Sequence, residues 1–295
     1  MLDGGLATEL ERRGADLRDA LWSARLLIDD PARIVEAHAA YVEAGADIIT
    51  TASYQASVAG LMARGLDSGE AAGVLGSSVA LAMGAAEHGS GPRPLVAASV
   101  GPYGAALADG SEYRGDYGVS RQRLREFHGL RLDLLLQVRP DLLAIETIPS
   151  PEEAEVILEL LDGRCPAWVS YSCRDATHVS EGQDVTEAIR RLSGAPGLTA
   201  LGFNCIPPSW VEALVGEASA VTDLPIVVYP NRGETWDATA REWSGESSAA
   251  EVFEHAARWA RAGARVIGGC CRTTPEDIVA LRRALVNAGL RREPA

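Results

Sequence analysis

The sequence has few cysteines and few basic residues. Its 295 residues include five cysteines, an odd number that is too small for a disulfide scaffold in a chain of this length. Lysine and arginine together number 27 against 41 aspartates and glutamates, which leaves a net charge of −14. Nucleic acids and anionic membranes both require a basic protein surface, so we expect neither as a partner.

Targeting segments and linkers are also lacking. No basic stretch followed by an apolar stretch opens the chain, so we expect no signal peptide and a cytoplasmic protein with reduced thiols. The apolar helix predicted over residues 76–86 is too short to span a bilayer. No stretch rich in Ser, Gly or Pro is long enough to divide the chain, which predicts one domain over residues 1–295.

Seven apolar segments alternate with amphipathic ones, as is typical of strands that are covered on both faces. The predicted strands are residues 46–54, 94–101, 141–147, 166–173, 199–205, 225–231 and 264–270. The opening MLDGG supplies a candidate eighth strand. Eight β/α units predict an α/β fold, a single (β/α)8 TIM barrel with the active site at the C-terminal ends of the strands. A doubly wound open sheet is the alternative, but no G-x-G-x-x-G motif follows the first strand.

Helix boundaries are marked by proline, glycine and capping residues. Pro31, Pro151 and Pro275 each stand near the first turn of a predicted helix. Thr274 is a predicted N-cap, and Gly45 follows the last turn of another helix. These signals place a helix after most of the predicted strands, as a barrel requires.

Polar side chains stand at the predicted carboxyl ends of the strands, where a barrel places its catalytic groups. In chain order, the residues at these strand ends, of which Pro102 is apolar, are Asp3, Thr51, Ser53, Pro102, Tyr103, Glu146, Thr147, Tyr171, Cys173, Asn204, Cys205, Tyr229, Asn231, Cys270 and Cys271. We therefore expect two carboxylates, several hydroxyls and the thiols of Cys205, Cys270 and Cys271 to converge on one face of the protein.

Cys205, Cys270 and Cys271 form the most informative part of this set. Adjacent cysteines rarely bond to each other, because the disulfide would strain the peptide between them. Three thiolates satisfy a soft divalent ion such as zinc and leave one coordination position open, which is the pattern of a catalytic site. A structural zinc or a redox-active dithiol remains the alternative. The other two cysteines, Cys165 and Cys173, are predicted to pack in the core.

Six segments of the chain resemble the homocysteine S-methyltransferases, with similarity from residue 3 to about residue 285. They are DGGLATELERRG (3–14), TTASYQAS (50–57), ETIPSPEEA (146–154), GFNC (202–205), YPNRGETWD (229–237) and GGCCRTTPEDI (268–278). The resemblance implies a zinc-dependent barrel enzyme that moves a methyl group onto the sulfur of L-homocysteine and yields methionine. It also implies that Cys205, Cys270 and Cys271 bind the zinc.

The resemblance assigns further residues to the two small-molecule substrates. It implies that Asp3 and Glu146 lie near the ammonium of homocysteine, which is consistent with the need of a buried ammonium for carboxylate partners. The remaining implied pocket residues are Gly4 and Gly5, with backbone N–H groups near the carboxylate, and Thr51 and Ser53 along the wall. Trp22 matches a tryptophan near the methyl donor, where its ring face could hold a sulfonium.

The identity of the methyl donor is less constrained. Gln55 and Thr147 stand where the betaine-using branch of the family has aromatic residues, and no long C-terminal oligomerisation arm follows the last helix. We therefore expect the branch that uses S-methylmethionine, with S-adenosylmethionine as a possible second donor, and a monomer. Nothing resembles the folate or cobalamin modules of the large synthase. A betaine-using enzyme and a non-catalytic thiolate metal-binding protein remain alternatives, although Asp3 and Glu146 favour an enzyme.

Overall fold

The computed structural model describes residues 1–17, 25–89, 91–233, 235–237, 242–244 and 253–291. A seven-stranded parallel sheet forms its centre, and the strands follow one another in the sheet in chain order. These strands are β1 (Ile48–Thr50), β2 (Leu95–Val100), β3 (Leu142–Ile148), β4 (Ala167–Tyr171), β5 (Leu198–Asn204), β6 (Ile226–Tyr229) and β9 (Ala264–Ile267). All seven coincide with predicted strands. A short antiparallel hairpin between β6 and β9 was not predicted; it consists of β7 (Thr235–Asp237) and β8 (Glu242–Ser244).

Helices connect successive strands of the sheet. They are α1 (Leu6–Arg12), α2 (Leu26–Asp29), α3 (Pro31–Glu43), α4 (Val58–Met62), α5 (Ser68–Ala86), α6 (Tyr103–Leu107), α7 (Arg121–Gln137), α8 (Pro151–Leu161), α9 (Val185–Arg191), α10 (Val211–Ser219), α11 (Ala256–Ala262) and α12 (Pro275–Asn287). The predicted start signals of three helices are confirmed. Pro31, Pro151 and Pro275 each stand in the first turn, and the Thr274 side chain accepts a hydrogen bond from the amide of Asp277.

The helix predicted over residues 76–86 is longer than expected. It is α5, which begins at a capping box between Asp67 and Glu70 and continues for 19 residues. By length and composition alone such a helix is apolar enough to cross a membrane. In the structure it packs against α3, α7 and β2, which is the position of a core helix. The sequence prediction of its length failed because residues 68–75 carry few large apolar side chains.

The N-terminal segment lies between the two outermost strands of the sheet. The amide of Leu2 donates to the carbonyl oxygen of Ile267 in β9 over 3.0 Å, and the amide of Asp3 donates to that of Ile48 in β1 over 3.1 Å. Leu2 and Ile48 form a parallel bridge. The segment therefore connects β1 to β9 on the side where the sheet order would otherwise end.

Two separate apolar clusters form the core. The larger lies between the sheet and the helices. The smaller is formed by side chains of the opposite sheet face together with Leu2: Leu2, Ala97, Ala144, Trp168, Ala200, Val227 and Tyr229. Strands β5 and β6 approach so closely that a Cβ on Gly202 would lie 1.7 Å from the carbonyl oxygen of Val227, so only glycine fits there. The curved sheet thus encloses a packed interior below its carboxyl edge.

Candidate active site

The three predicted metal ligands meet at the carboxyl ends of β5 and β9. The sulfur atoms of Cys205, Cys270 and Cys271 lie within 4.8 Å of one another, and those of Cys205 and Cys271 are 3.6 Å apart. Backbone hydrogen bonds hold the two strand ends in place. The amide of Cys205 donates to the carbonyl of Tyr229 (3.2 Å), and that of Cys270 donates to the carbonyl of Pro230 (2.8 Å). Within the described part of the chain, this is the one group of three or more potential ligands.

The three thiols influence one another's ionisation. Hydrogen bonds from Cys270 and Cys271 lower the pKa of Cys205 well below its ordinary value. The same contacts with Cys205 are the main reason that the pKa values of Cys270 and Cys271 are raised. Ionisation of Cys205 therefore opposes ionisation of its two neighbours, and a soft divalent cation would stabilise all three as thiolates. A set of three sulfurs suits zinc and leaves one position for a substrate atom.

Neighbouring polar groups orient these sulfurs. The Asn204 side chain donates to the hydroxyl of Thr147 (2.8 Å) and lies 3.9 Å from the sulfur of Cys270. The side-chain oxygen of Asn231 accepts from the amide of Cys271 over 3.2 Å. Such outer partners fix the positions of metal ligands. The sequence analysis placed both asparagines at strand ends but gave them no role.

Tyr113 is a residue that sequence reasoning missed. Its hydroxyl lies 3.3 Å from the sulfur of Cys205, although it belongs to a short 3₁₀ turn, Ser111–Tyr113, in the long connection between β2 and α7. No strand end or motif marks this segment in the sequence. Only the folded structure brings it to the cysteines.

Glu146 is buried at the end of β3, and two hydroxyl groups bind its two oxygens. Ser99 donates to Oε1, and Tyr229 donates to Oε2 over 3.0 Å. Burial, with a smaller contribution from a negative charge on Cys205, raises the pKa of Glu146 to about 7, although the two hydroxyl bonds act in the opposite direction. The carboxylate therefore lies in a site that is short of positive charge.

Asp3 is the second buried carboxylate at this edge. The amide of Thr50 donates to its Oδ2 over 2.7 Å, and the Thr50 hydroxyl lies 3.1 Å from the same oxygen. Burial raises the pKa of Asp3 well above its ordinary value, and the charge of Glu146 adds to this effect. Two carboxylates thus share one low-dielectric region, an arrangement that favours a bound cation.

Thr51 and Ser53 are buried, and their hydroxyl groups form hydrogen bonds within the protein. The Thr51 hydroxyl accepts from the amide of Ser99 (3.0 Å) and lies 2.6 Å from that of Ser53, which donates to the carbonyl of Ser99 (2.7 Å). Both hydroxyls therefore hold the backbone of Ser99, whose own side chain binds Glu146. The two hydroxyls are therefore linked to Glu146 indirectly, through Ser99.

The Gly4–Gly5 turn packs against the loop after β9. A Cβ on Gly5 would lie 2.6 Å from the carbonyl oxygen of Cys270, and one on Gly4 would lie 2.8 Å from the ring of Tyr41. The amide of Gly5 donates to the Thr273 hydroxyl over 3.0 Å, so the structure gives this N–H group a protein partner where we had expected it to face a substrate carboxylate. Close packing is the physical reason for both glycines. Trp22, the predicted donor-site residue, lies outside the described residues.

A buried arginine also supports the site, and sequence reasoning missed it. Arg131 of α7 donates to the carbonyl oxygens of Gly101 (2.8 Å), Ser53 (2.6 Å) and Tyr54 (2.5 Å). Burial lowers its pKa to about 10, so the guanidinium remains charged at neutral pH. It joins the loops that follow β1 and β2. An arginine in the middle of an amphipathic helix gives no sequence signal of such a role.

Comparison with known proteins gives the family to which the chain is similar. The sequence profile of a family described as Homocysteine S-methyltransferase matches residues 1–285. The homocysteine S-methyltransferase of Escherichia coli (strain K12) is 47% identical over 290 residues, which cover 96% of this chain and 94% of the relative. Homocysteine S-methyltransferase YbgG of Bacillus subtilis (strain 168) is 43% identical over 288 residues, covering 94% of this chain and 91% of the relative.

A solved structure extends the similarity to the fold. The crystal structure of the homocysteine methyltransferase MmuM from Escherichia coli, in its metallated form, matches with a TM-score of 0.86 and 45% sequence identity. The match covers 96% of this chain and 94% of that chain. The chain therefore belongs to the homocysteine S-methyltransferase family and is a methyltransferase.

Proposed function

We propose that this protein transfers a methyl group from a sulfonium donor, S-methylmethionine first and S-adenosylmethionine second, to the sulfur of L-homocysteine, forming methionine. The observation that carries the proposal is the trio of sulfurs within 4.8 Å of one another, at the same sheet edge as two buried carboxylates. A metal-storage protein would have no use for those carboxylates. An enzyme that binds an amino-acid thiol uses both features.

Zinc is the proposed cofactor, with Cys205, Cys270 and Cys271 as its protein ligands. The all-sulfur donor set fits this ion, and three ligands leave the fourth position open. When bound, zinc would hold the homocysteine sulfur as a thiolate at neutral pH, so that no protein general base is needed. Asn204 and Asn231 would keep the cysteine sulfurs in place throughout the reaction.

Glu146 and Asp3 are proposed to bind the ammonium group of homocysteine. Both are buried, and both have pKa values raised by burial, so a bound cation would stabilise their charged forms. Thr51 and Ser53 would position Glu146 through Ser99. The transfer itself is an in-line displacement: the homocysteine sulfur forms a bond to the methyl carbon, and the donor sulfur leaves with the electron pair as a thioether. Positioning is then the main contribution of the protein.

The donor assignment depends on two side chains of the pocket. Neither Thr147 nor Gln55 has an aromatic ring. Thr147 is buried and hydrogen-bonded to Asn204, and the Gln55 side chain donates to the carbonyl of Ala105 over 3.2 Å. A trimethylammonium group would lack part of the aromatic cage that cation–π binding requires, whereas the ring of Trp22 could still hold a sulfonium. Gly4 is proposed to direct its backbone toward the homocysteine carboxylate.

The N-terminal segment is proposed to act as the eighth strand of a closed (β/α)8 barrel. Its hydrogen bonds to both β1 and β9, and the burial of Leu2 in the inner cluster, support this interpretation. Residues 1–295 would then form one homocysteine-binding domain. We further propose a cytoplasmic monomer that acts on small molecules, without nucleic-acid or membrane partners.

A donor panel with zinc-loaded protein tests the proposal. Methionine formation from homocysteine is measured with S-methylmethionine, S-adenosylmethionine, betaine and methyltetrahydrofolate. We expect S-methylmethionine to be fastest and betaine to be at least about ten-fold slower, since a missing ring face costs on the order of 1–2 kcal/mol. Exhaustive chelation should abolish transfer, and added zinc should restore it. Faster transfer from betaine would contradict the donor assignment.

Activity without metal would remove zinc from the mechanism. If no donor is active, cobalt-substituted protein distinguishes the remaining possibilities. A charge-transfer spectrum that homocysteine does not change would indicate a non-catalytic metal-binding protein.

A further inference from the structure

Glu112 carries a buried carboxylate oxygen that the proposed mechanism does not use. Its Oε2 is enclosed, and among the described residues it has no hydrogen-bond partner. Glu112 lies in the 3₁₀ turn beside α6, and a Cβ on Gly104 of that helix would be 2.6 Å from its amide nitrogen. Gln55 also packs on α6 and has a second buried acceptor, Oε1, without a described donor. Buried acceptors of this kind are costly unless a ligand supplies the donor.

The position of Glu112 places this acceptor at the cysteine site. The next residue, Tyr113, contacts the sulfur of Cys205. After burial, the charge of Glu112 is the largest cause of the raised pKa of Tyr54, to which Cys205 and Glu146 also contribute. Tyr54 therefore lies within electrostatic range of all three groups. Glu112 lies on the flank formed by α6 and the 3₁₀ turn, whereas Glu146 and Asp3 come from the strand ends.

Burial and a negative Cys205 both raise the pKa of Glu112, to about 7, although its own backbone N–H and the nearby Arg114 guanidinium act in the opposite direction. The proposed site therefore contains a third carboxylate that lacks a full counter-charge. Homocysteine brings one ammonium, and Glu146 and Asp3 already provide two carboxylates for it. A second cation with N–H groups would supply the hydrogen-bond donor that Glu112 Oε2 lacks among the described residues.

We propose that Glu112 binds the α-ammonium group of the methyl donor and thereby selects sulfonium donors that are amino acids. The inference rests on the proposed function and makes it more specific. A sulfonium centre is charged but has no N–H group, so it cannot fill the empty acceptor position on Oε2. A primary ammonium has three donors and can bind Glu112 and a second acceptor together. Betaine, whose nitrogen has no hydrogen, cannot make this contact.

The substitution Glu112→Gln tests the proposal, because it keeps the shape and removes the charge. Zinc-loaded protein at saturating homocysteine is assayed with two sulfonium donors. S-methylmethionine has an α-ammonium, and dimethylsulfoniopropionate has none. We expect KM for S-methylmethionine to rise about 30-fold or more, as for loss of a buried charge partner, with kcat little changed. KM for dimethylsulfoniopropionate should change less than about three-fold, and Glu126→Gln, on the exposed face of α7, should change neither.

Calorimetric binding of both compounds to zinc-loaded protein, without homocysteine, gives a readout that needs no turnover. Weaker binding confined to S-methylmethionine supports the proposal. Equal weakening of both compounds would show that Glu112 responds to the sulfonium charge, and unchanged binding of both would show that it faces no donor. Either result overturns the proposal, as does a rise in the KM of homocysteine alone.

Two further results separate this inference from the function on which it rests. Failure of the wild-type protein to use any sulfonium donor would reject the proposed function, while the calorimetric comparison would still decide the role of Glu112. Glu112→Asp keeps the charge on a shorter side chain, and it serves as a second test if Glu112→Gln does not fold. It should lose less S-methylmethionine affinity than Glu112→Gln, and an equal loss would contradict an ion pair.

Discussion

Two buried glutamates only seven residues apart have different partners. Glu146 ends β3 and receives hydrogen bonds from the hydroxyls of Ser99 and Tyr229. Glu153, in the first turns of α8, is bound by the amide of Tyr103 (2.6 Å) and by Nε2 of His128 (2.9 Å). The first carboxylate lies at the cysteine site, and the second joins α8 to α6 and α7. We therefore propose that the same residue type serves substrate binding at the first position and packing at the second.

Matched substitutions should separate these roles. Glu146→Gln should raise the homocysteine KM by about 10²-fold, because loss of a buried charge partner costs about 2–5 kcal/mol, and should leave zinc content unchanged. Glu153→Gln should lower the free energy of unfolding by about 1–3 kcal/mol and leave that KM unchanged. Steady-state kinetics and urea denaturation measure the two effects. An unaltered KM in Glu146→Gln would show that this carboxylate does not face the substrate.

The cysteines likewise divide into site and core. Alanine at Cys205, Cys270 or Cys271 should reduce zinc from about one ion per chain to near zero and abolish transfer, with the fold retained, because strand ends contribute little to the core. Cys165→Ala is the matched control, since Cys165 is buried away from the trio. It should keep both zinc and activity. Metal analysis and circular dichroism check this, and global unfolding of all three site variants would instead indicate a structural metal.

At the scale of the helices, His38 of α3 is fully buried, and neither ring nitrogen has a hydrogen-bond partner among the described residues. Burial lowers its pKa from 6.5 to about 4. The unfolded chain therefore binds a proton near pH 6.5 that the folded chain takes up only near pH 4. This difference makes the folded state lose stability as pH falls between these two values.

His38→Leu should remove that loss. Between pH 7 and pH 4 the wild-type protein should lose about 3 kcal/mol more stability than the variant, since one pKa unit corresponds to about 1.4 kcal/mol. Denaturant unfolding at several pH values measures the difference, and buried carboxylates common to both proteins cancel in the comparison. Parallel pH profiles would show that His38 is hydrogen-bonded or exposed in solution.

The elements differ in how well the sequence predicts them. The seven sheet strands were predicted correctly because short, continuous apolar runs between amphipathic segments are typical of parallel strands covered on both faces. The ends of parallel strands share one edge, so the meeting of Cys205 with Cys270 also followed from the sequence. Tyr113 and Glu112 did not, because their positions depend on how residues 101–120 fold over the sheet edge. The short β7–β8 pair has too few residues to show a periodic pattern.

At the scale of the whole molecule, Leu2 connects the N-terminal segment to the inner cluster. Its side chain is completely buried among residues from the strands. Leu2→Ala should therefore lower the free energy of unfolding by about 2–5 kcal/mol. Leu95→Ala is the control, because Leu95 at the start of β2 is 45% exposed and should change stability by less than about 1 kcal/mol. Equal effects of the two substitutions would contradict a closing role for the N-terminal segment.

The contact between the N-terminal segment and the loop after β9 also bears on the stage of synthesis at which the cysteine site can form. Gly5 and Thr273 are hydrogen-bonded across 268 positions of the chain. Contacts of such separation form late, because the loop-closure entropy must be overcome before they stabilise the chain. As the ribosome adds residues in order, Cys205 emerges well before Cys270 and Cys271. A nascent chain that has not yet reached β9 holds one of the three sulfurs, so the proposed metal site can be completed only after β9 has been synthesised.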